Sequence, residues 1–230
     1  MLRRIRLITA AFVALWLCGS SPNSASAEDR YFLVVFGSQS TPLVPRFTHT
    51  WATVIKTTRP CRWHPLEIAE VNTISWLPAN LNVRPLALRP EVGANYDLAT
   101  TIQAMSATGQ RITYWGPFEI DSKFHQRFLE HKTKLEGGSV FYKAVDSIYA
   151  PQDGTVSNCI HAVSDLDRDH DRGYYSELSR IGEAASEFIV ISLAQGKQID
   201  AQLPQPWLAE HIGLTASPPP ANGTAKPLPK

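Results

Sequence analysis

The run "YFLVVFG" (31–37) is apolar until it closes on Gly37 and the turn-like "SQSTP", which predicts a buried strand. Two alternating stretches follow, "HTWATVIKT" (49–57) and "LEIAEVNTISWLP" (66–78), separated by the proline-broken "TRPCRWHP". They read as antiparallel neighbours joined by a loop centred near Cys61. "NLNVRPLALRPEVG" is interrupted by prolines and reads as an extended surface excursion. A helix is expected from near Asp97 to Gly109, and "RITYWGPFEI" (111–120) is strand-like. Asp121 or Ser122 can cap a helix whose Phe124, Phe128 and Leu135 share one face and which Gly137 and Gly138 end. "SVFYKAVDS" is a further strand or extended segment, and a turn-rich loop then feeds a helix starting near Asn158 or Cys159. "EAASEFIVISLAQG" has the length and small residues of a helix despite its "FIVI". The class predicted is α+β, a small antiparallel sheet with helices packed on one side.

The ends of the chain are of a different composition. "MLRRIRL" followed by "LITAAFVALWLC" and "ASA" (25–27) has the basic, apolar and small-residue order of a secretory signal peptide cleaved after Ala27. Lipid anchoring at Cys18 is disfavoured, because Leu17 stands where a small residue is needed. The tail from 214 to 230 is proline-rich without apolar period and reads as disordered. Residues 28–213 are then a single domain, exported to the periplasm or beyond. Losing Arg3, Arg4 and Arg6 with the signal takes the formal charge from +1 to about −2, which points away from nucleic acid as a partner. No second apolar run approaches membrane-spanning length.

Of three cysteines, Cys61 and Cys159 remain after cleavage. In an oxidising compartment they can form a disulfide. Cys159 stands in "VSNCIHAVSD", beside Asn158 at the expected start of a helix, where free backbone N–H groups favour a thiolate and can hold an oxyanion. A nucleophilic thiol needs an imidazole to take and return a proton. His161 is two residues on and points about 200° away on a helix. His125 and His131 read as surface residues of a charged helix, and His64, His170 and His211 lie in loops or the C-terminal segment. His49 opens a strand, on the rigid backbone a general base requires. The hairpin register puts residue 49 opposite about residue 73, so Asn72 is the candidate to orient His49, with Glu70 in reserve.

The order "FTHTWATVI", "AEVNTISWLP", "SNCIHAV" resembles the circularly permuted NlpC/P60 branch of the papain-like thiol enzymes, to which the lecithin:retinol acyltransferase-like proteins belong. The resemblance spans residues 47 to 165 on about fifteen positions. It implies Cys159 as nucleophile, His49 as base and Asn72 as the orienting residue. It also implies a thiol hydrolase or acyltransferase that works through an acyl-enzyme without a cofactor. The substrate class would be a small molecule, a peptide or an acyl compound, with cell-envelope amides favoured by export. Trp51 replaces the small residue usual after that histidine, and the stretch 79–120 is longer than in the family. A non-catalytic binding or scaffold domain keeping the fold is the alternative.

Two further clusters have residue types that bind ions. Asp165, Asp167, Asp169 and Asp171 are spaced like a calcium loop, but Arg172 and Leu178 stand where such a loop needs glycine and glutamate. Cys61, His64, Cys159 and His161 have zinc-ligand types without a closed-site spacing. Trp51 and Trp76 are expected to shape the pocket beside the catalytic residues.

Overall fold

A computed structural model of the chain describes residues 28–59, 65–147, 155–200 and 206–214. The signal segment, Cys61, His64 and the tail beyond Leu214 lie outside the described residues. Leu214 itself is buried. In chain order the elements are β1 (Glu28–Gln39), β2 (Thr48–Arg59), β3 (Glu67–Ile74), β4 (Trp76–Pro78) and β5 (Glu91–Asn95). Then come α1 (Leu98–Ala107), β6 (Arg111–Ile120), α2 (Ser122–Glu136), β7 (Phe141–Tyr142) and β8 (Val156–Ser157). Helices α3 (Cys159–Ser164), α4 (Glu183–Gln195) and α5 (Pro206–His211) complete the described chain. The fold is α+β, as the pattern predicted, and among the described residues no helix is long and apolar enough to cross a membrane.

The main sheet runs β3-β2-β1-β6, every pair antiparallel. β1 and β2 are its central strands, which is why the segment from Phe32 to Phe36 is apolar at every position and fully buried. Alternation assigns each side chain to one of two cores. Leu33, Val35, Ala52, Val54 and Ile74 face a core shared with α2, α3 and α4. Phe32, Val34, Phe36, Trp51 and Ile55 face the other, covered by α1 and α5. In β6 the parity is reset at Gly116 (φ +102°), where a Cβ would sit 2.6 Å from the Leu33 carbonyl oxygen, and the β1–β6 register shifts between Leu33 and Val35.

Local signals placed the helices well. Asp97 accepts from Thr100 N–H at the start of α1 at 2.8 Å, and Asp121 accepts from Phe124 N–H at the start of α2 at 2.6 Å. The expected excursion after Pro78 returns as β5, which pairs with β4. This second sheet runs β4-β5-β7-β8, with β7 and β8 parallel. Of "SVFYKAVDS" only Phe141 and Tyr142 are strand. That pair matters for the site: Tyr142 is in register with Ser157, and the chain passes from Ser157 through Asn158 directly into α3.

Candidate functional site

Asn158 caps α3, its Oδ1 accepting from His161 N–H at 2.8 Å, so Cys159 is the first residue of the helix. Cys159 is a free thiol. It sits in the wall of a cavity of about 400 Å³ whose other walls include Val83, Pro85, Tyr142, Ala144 and Ile181. Glu177 also lines it, and Leu86 and Leu178, 93% and 64% exposed, give its mouth an apolar rim. Burial pushes the thiol up to about 11. The backbone N–H groups of Thr50, Cys159 and Ile160 pull the other way without prevailing, and the Asp146 carboxylate adds to the rise.

His49 does not face this thiol. Its ring stacks on Trp51 (centroids 5.2 Å apart), and Trp51 in turn stacks on Phe36 in the core that α1 and α5 cover. The next residue, Thr50, points to the opposite side, where its hydroxyl meets Ser186 of α4 at 2.9 Å. Cys159 packs on that same α4 side. The sheet therefore separates His49 from Cys159. His49 is 1% exposed; its Nε2 meets the Ser75 hydroxyl at 2.9 Å, and burial pushes its pKa down to about 3.

Asn72 does not orient His49 either. The observed register pairs Ala52 with Ile74, Thr53 with Thr73 and Val54 with Asn72, and it shifts between Lys56 and Thr57. Asn72 thus lies further along β2 and on the face opposite His49, because cross-strand partners share a face. The expected register had residue 73 opposite residue 49. Thr58 pairs with Glu67, so the hairpin is centred beyond Cys61, and the irregularity at Lys56 moves β3 further along; Ser75 takes the position assigned to Asn72. Glu70, held in reserve, pairs with Lys56, whose ammonium lies 3.9 Å from its carboxylate.

The other histidines divide differently from expectation. His125 is buried against the Tyr31 ring (4.5 Å), and the ring of His131 meets the Ala162 carbonyl at 3.0 Å, so neither is a plain surface residue. Trp51 and Trp76 are almost wholly buried core residues and do not line the Cys159 cavity. The acidic run 165–171 is committed to protein donors. Asp165 pairs with Arg172, and Asp171 caps a 3-10 turn at Arg172–Tyr175. Asp167 accepts from Asp169 N–H, His170, Gln198 and the Tyr175 hydroxyl.

The histidine that does gather charge is His161. Its Nδ1 lies 2.7 and 2.8 Å from the two Asp146 oxygens, and its Nε2 lies 3.8 Å from Glu177 Oε2. Asn158 Nδ2 donates to the same Asp146 carboxylate at 3.0 Å. His161 does point away from Cys159, as the helical spacing predicted. Asp146 and Glu177 were not singled out in the sequence, because each reaches the site from irregular chain where no period marks it. No family model, curated protein or solved structure matches the chain.

Proposed function

We propose that the chain is an exported binding domain that takes a small, largely apolar ligand into the cavity beside Cys159, where the cysteine meets it as an un-ionised thiol. The observation that carries this reading is the sheet between His49 and Cys159. A thiol raised to about 11, with His49 across the sheet and the His161 ring turned to Asp146 and Glu177, lacks the facing proton acceptor that covalent catalysis requires. What remains is a cavity of about 400 Å³ with apolar walls, a few polar groups and exposed leucines at its mouth. That combination is the usual composition of a small-molecule site.

The test is occupancy of the cavity. 1-Anilinonaphthalene-8-sulfonate should fluoresce with the mature protein, and Ala144→Phe, which fills the cavity from one wall, should abolish the signal while far-ultraviolet circular dichroism is retained. Equal fluorescence from wild type and variant would place the dye elsewhere and remove the support for this site.

A second reading, a thiol hydrolase or acyltransferase, is favoured by one observation. The N–H groups of Thr50, Cys159 and Ile160 converge on the sulfur. Such donors suit the oxyanion of a carbonyl under attack. In that reading Cys159 forms an acyl-enzyme, and the proton goes to a base other than His49. Titration of the thiol, described below, separates the two readings.

A further inference from the structure

We infer that His161 and Glu177 form the protein half of a divalent-cation site behind the Cys159 cavity, with Asp146 as the carboxylate that orients His161. Ligand atoms of these three residues all lie within 4.8 Å of one another. Their side chains are only 1% (His161) and 3% (Asp146, Glu177) exposed.

The ring orientation follows from Asp146. Nδ1 faces both of its carboxylate oxygens, so Nδ1 carries a proton, and in the neutral ring Nε2 presents a lone pair. Nε2 has no hydrogen-bond partner among the described residues, and neither does Glu177 Oε2. Two buried, unpartnered polar atoms aimed at each other are costly unless something joins them. Their separation of 3.8 Å exceeds the hydrogen-bond limit of about 3.2 Å. It does match a shared cation: zinc–nitrogen and zinc–oxygen bonds of about 2.0–2.2 Å span this distance with a bent N–metal–O angle.

The surroundings fit the same assignment. Ser147 donates to the other Glu177 oxygen from its N–H (3.2 Å) and hydroxyl (2.6 Å), which fixes where Oε2 points. A carboxylate behind a ligating imidazole is the usual outer-shell arrangement of metal-bound histidine. Asp146, Glu177 and Asp165 are three carboxylates in this buried region, with Arg172 between Asp146 (3.6 Å) and Asp165 (2.5 Å). A divalent cation offsets the remaining negative charge. One imidazole and one carboxylate suit zinc or manganese better than calcium. Glu177 also lines the cavity, so the site stands directly behind its wall. The assignment does not depend on what the cavity binds.

The experiment uses the mature protein stripped with a chelator, dialysed, and titrated calorimetrically with Zn²⁺ and separately with Mn²⁺, beside Glu177→Gln and Cys159→Ser. Glu177→Gln keeps an oxygen for Ser147 and turns an amide toward Nε2, so the packing survives. The expected result is one cation per chain, weakened about tenfold or more by Glu177→Gln and unchanged by Cys159→Ser. Long-range ¹H–¹⁵N spectra should show the cation moving the His161 Nε2 resonance while Nδ1 stays protonated. The inference is overturned if wild type takes up no stoichiometric cation and both ring nitrogens are protonated, since His161 is then a charged bridge between two carboxylates. It is equally overturned if Cys159→Ser, and not Glu177→Gln, removes binding.

Discussion

His49 and Cys159 sit on opposite faces of the same sheet, although the sulfur of Cys159 reaches the backbone N–H of Thr50, the very next residue after His49. One step along a strand is enough to exchange the two cores. A histidine at 49 therefore belongs to the packing of Trp51, and a histidine at 48 or 50 would have been needed to meet the thiol.

The hydrogen bond from His49 to Ser75 is the first consequence to check. Nδ1 of His49 already has no partner among the described residues, so Ser75→Ala leaves the buried ring with none there. The expected loss is about 1–3 kcal/mol in urea unfolding. Asn72→Ala, at a half-buried position opposite Val54, should cost no more than about 0.5 kcal/mol. The reverse order of the two losses would show that Asn72, not Ser75, supports the imidazole.

His49 also sets a pH dependence. Its pKa in the fold is about 3, against an ordinary 6.5, because burial disfavours the charged ring. The unfolded chain binds the proton first, so this stability is complete above pH 6.5 and drains away as pH falls toward 3. The slope per proton is about 1.4 kcal/mol per pH unit. His125 and His131, also lowered by burial, act in the same direction. His49→Gln should remove its share, so that unfolding free energies of variant and wild type lose different amounts between pH 6.5 and 5. Parallel curves would mean that His49 is hydrated.

Alkylation reports the state of the thiol. Iodoacetamide should label Cys159 slowly at neutral pH and increasingly as pH approaches 11, with the site mapped by mass spectrometry. His49→Ala should leave that profile in place, because the sheet intervenes. A profile centred well below the free-thiol value of about 8.5 would restore the thiol enzyme as the leading reading.

Gly37 governs how closely α4 approaches the sheet. A Cβ there would stand 2.8 Å from the Glu183 Cα and 2.8 Å from the Ser186 hydroxyl oxygen. That hydroxyl donates to the Phe36 carbonyl at 2.8 Å and contacts Thr50. Gly37→Ala should thus lift α4 from β1 and lower stability by about 1–3 kcal/mol, measured by thermal denaturation. An unchanged melting temperature would show that the helix floats on this face.

Much of this architecture was legible because it is local. Helices begin at Asp97, Asp121 and Asn158, where starts were expected, and unbroken apolar content marks β1 as the buried strand it is. What failed was phase. The register of β3 turns on the loop after β2 and on the shift at Lys56, neither of which hydrophobic alternation records. His125 was assigned to solvent because only Phe124, Phe128 and Leu135 were counted as the inner face of α2; Tyr31 widens that face. The cluster around His161 depends on side chains brought from residues 146 and 177 by irregular chain, and no period in the sequence announces such a meeting.

The Asp167 node bears on the cavity from a distance. It holds Tyr175 just before Glu177, while at the other end Glu183 is clamped by Arg111 (2.8 and 2.5 Å) and Thr113 (2.7 Å) of β6. The intervening stretch, which carries Leu178 and Ile181 along the cavity wall, is strung like a short rope between two posts. Ser147, which donates twice to Glu177, braces it between them, so the wall is held at three points. Loss of Asp167 would therefore release one of the three points without changing any residue that lines the cavity.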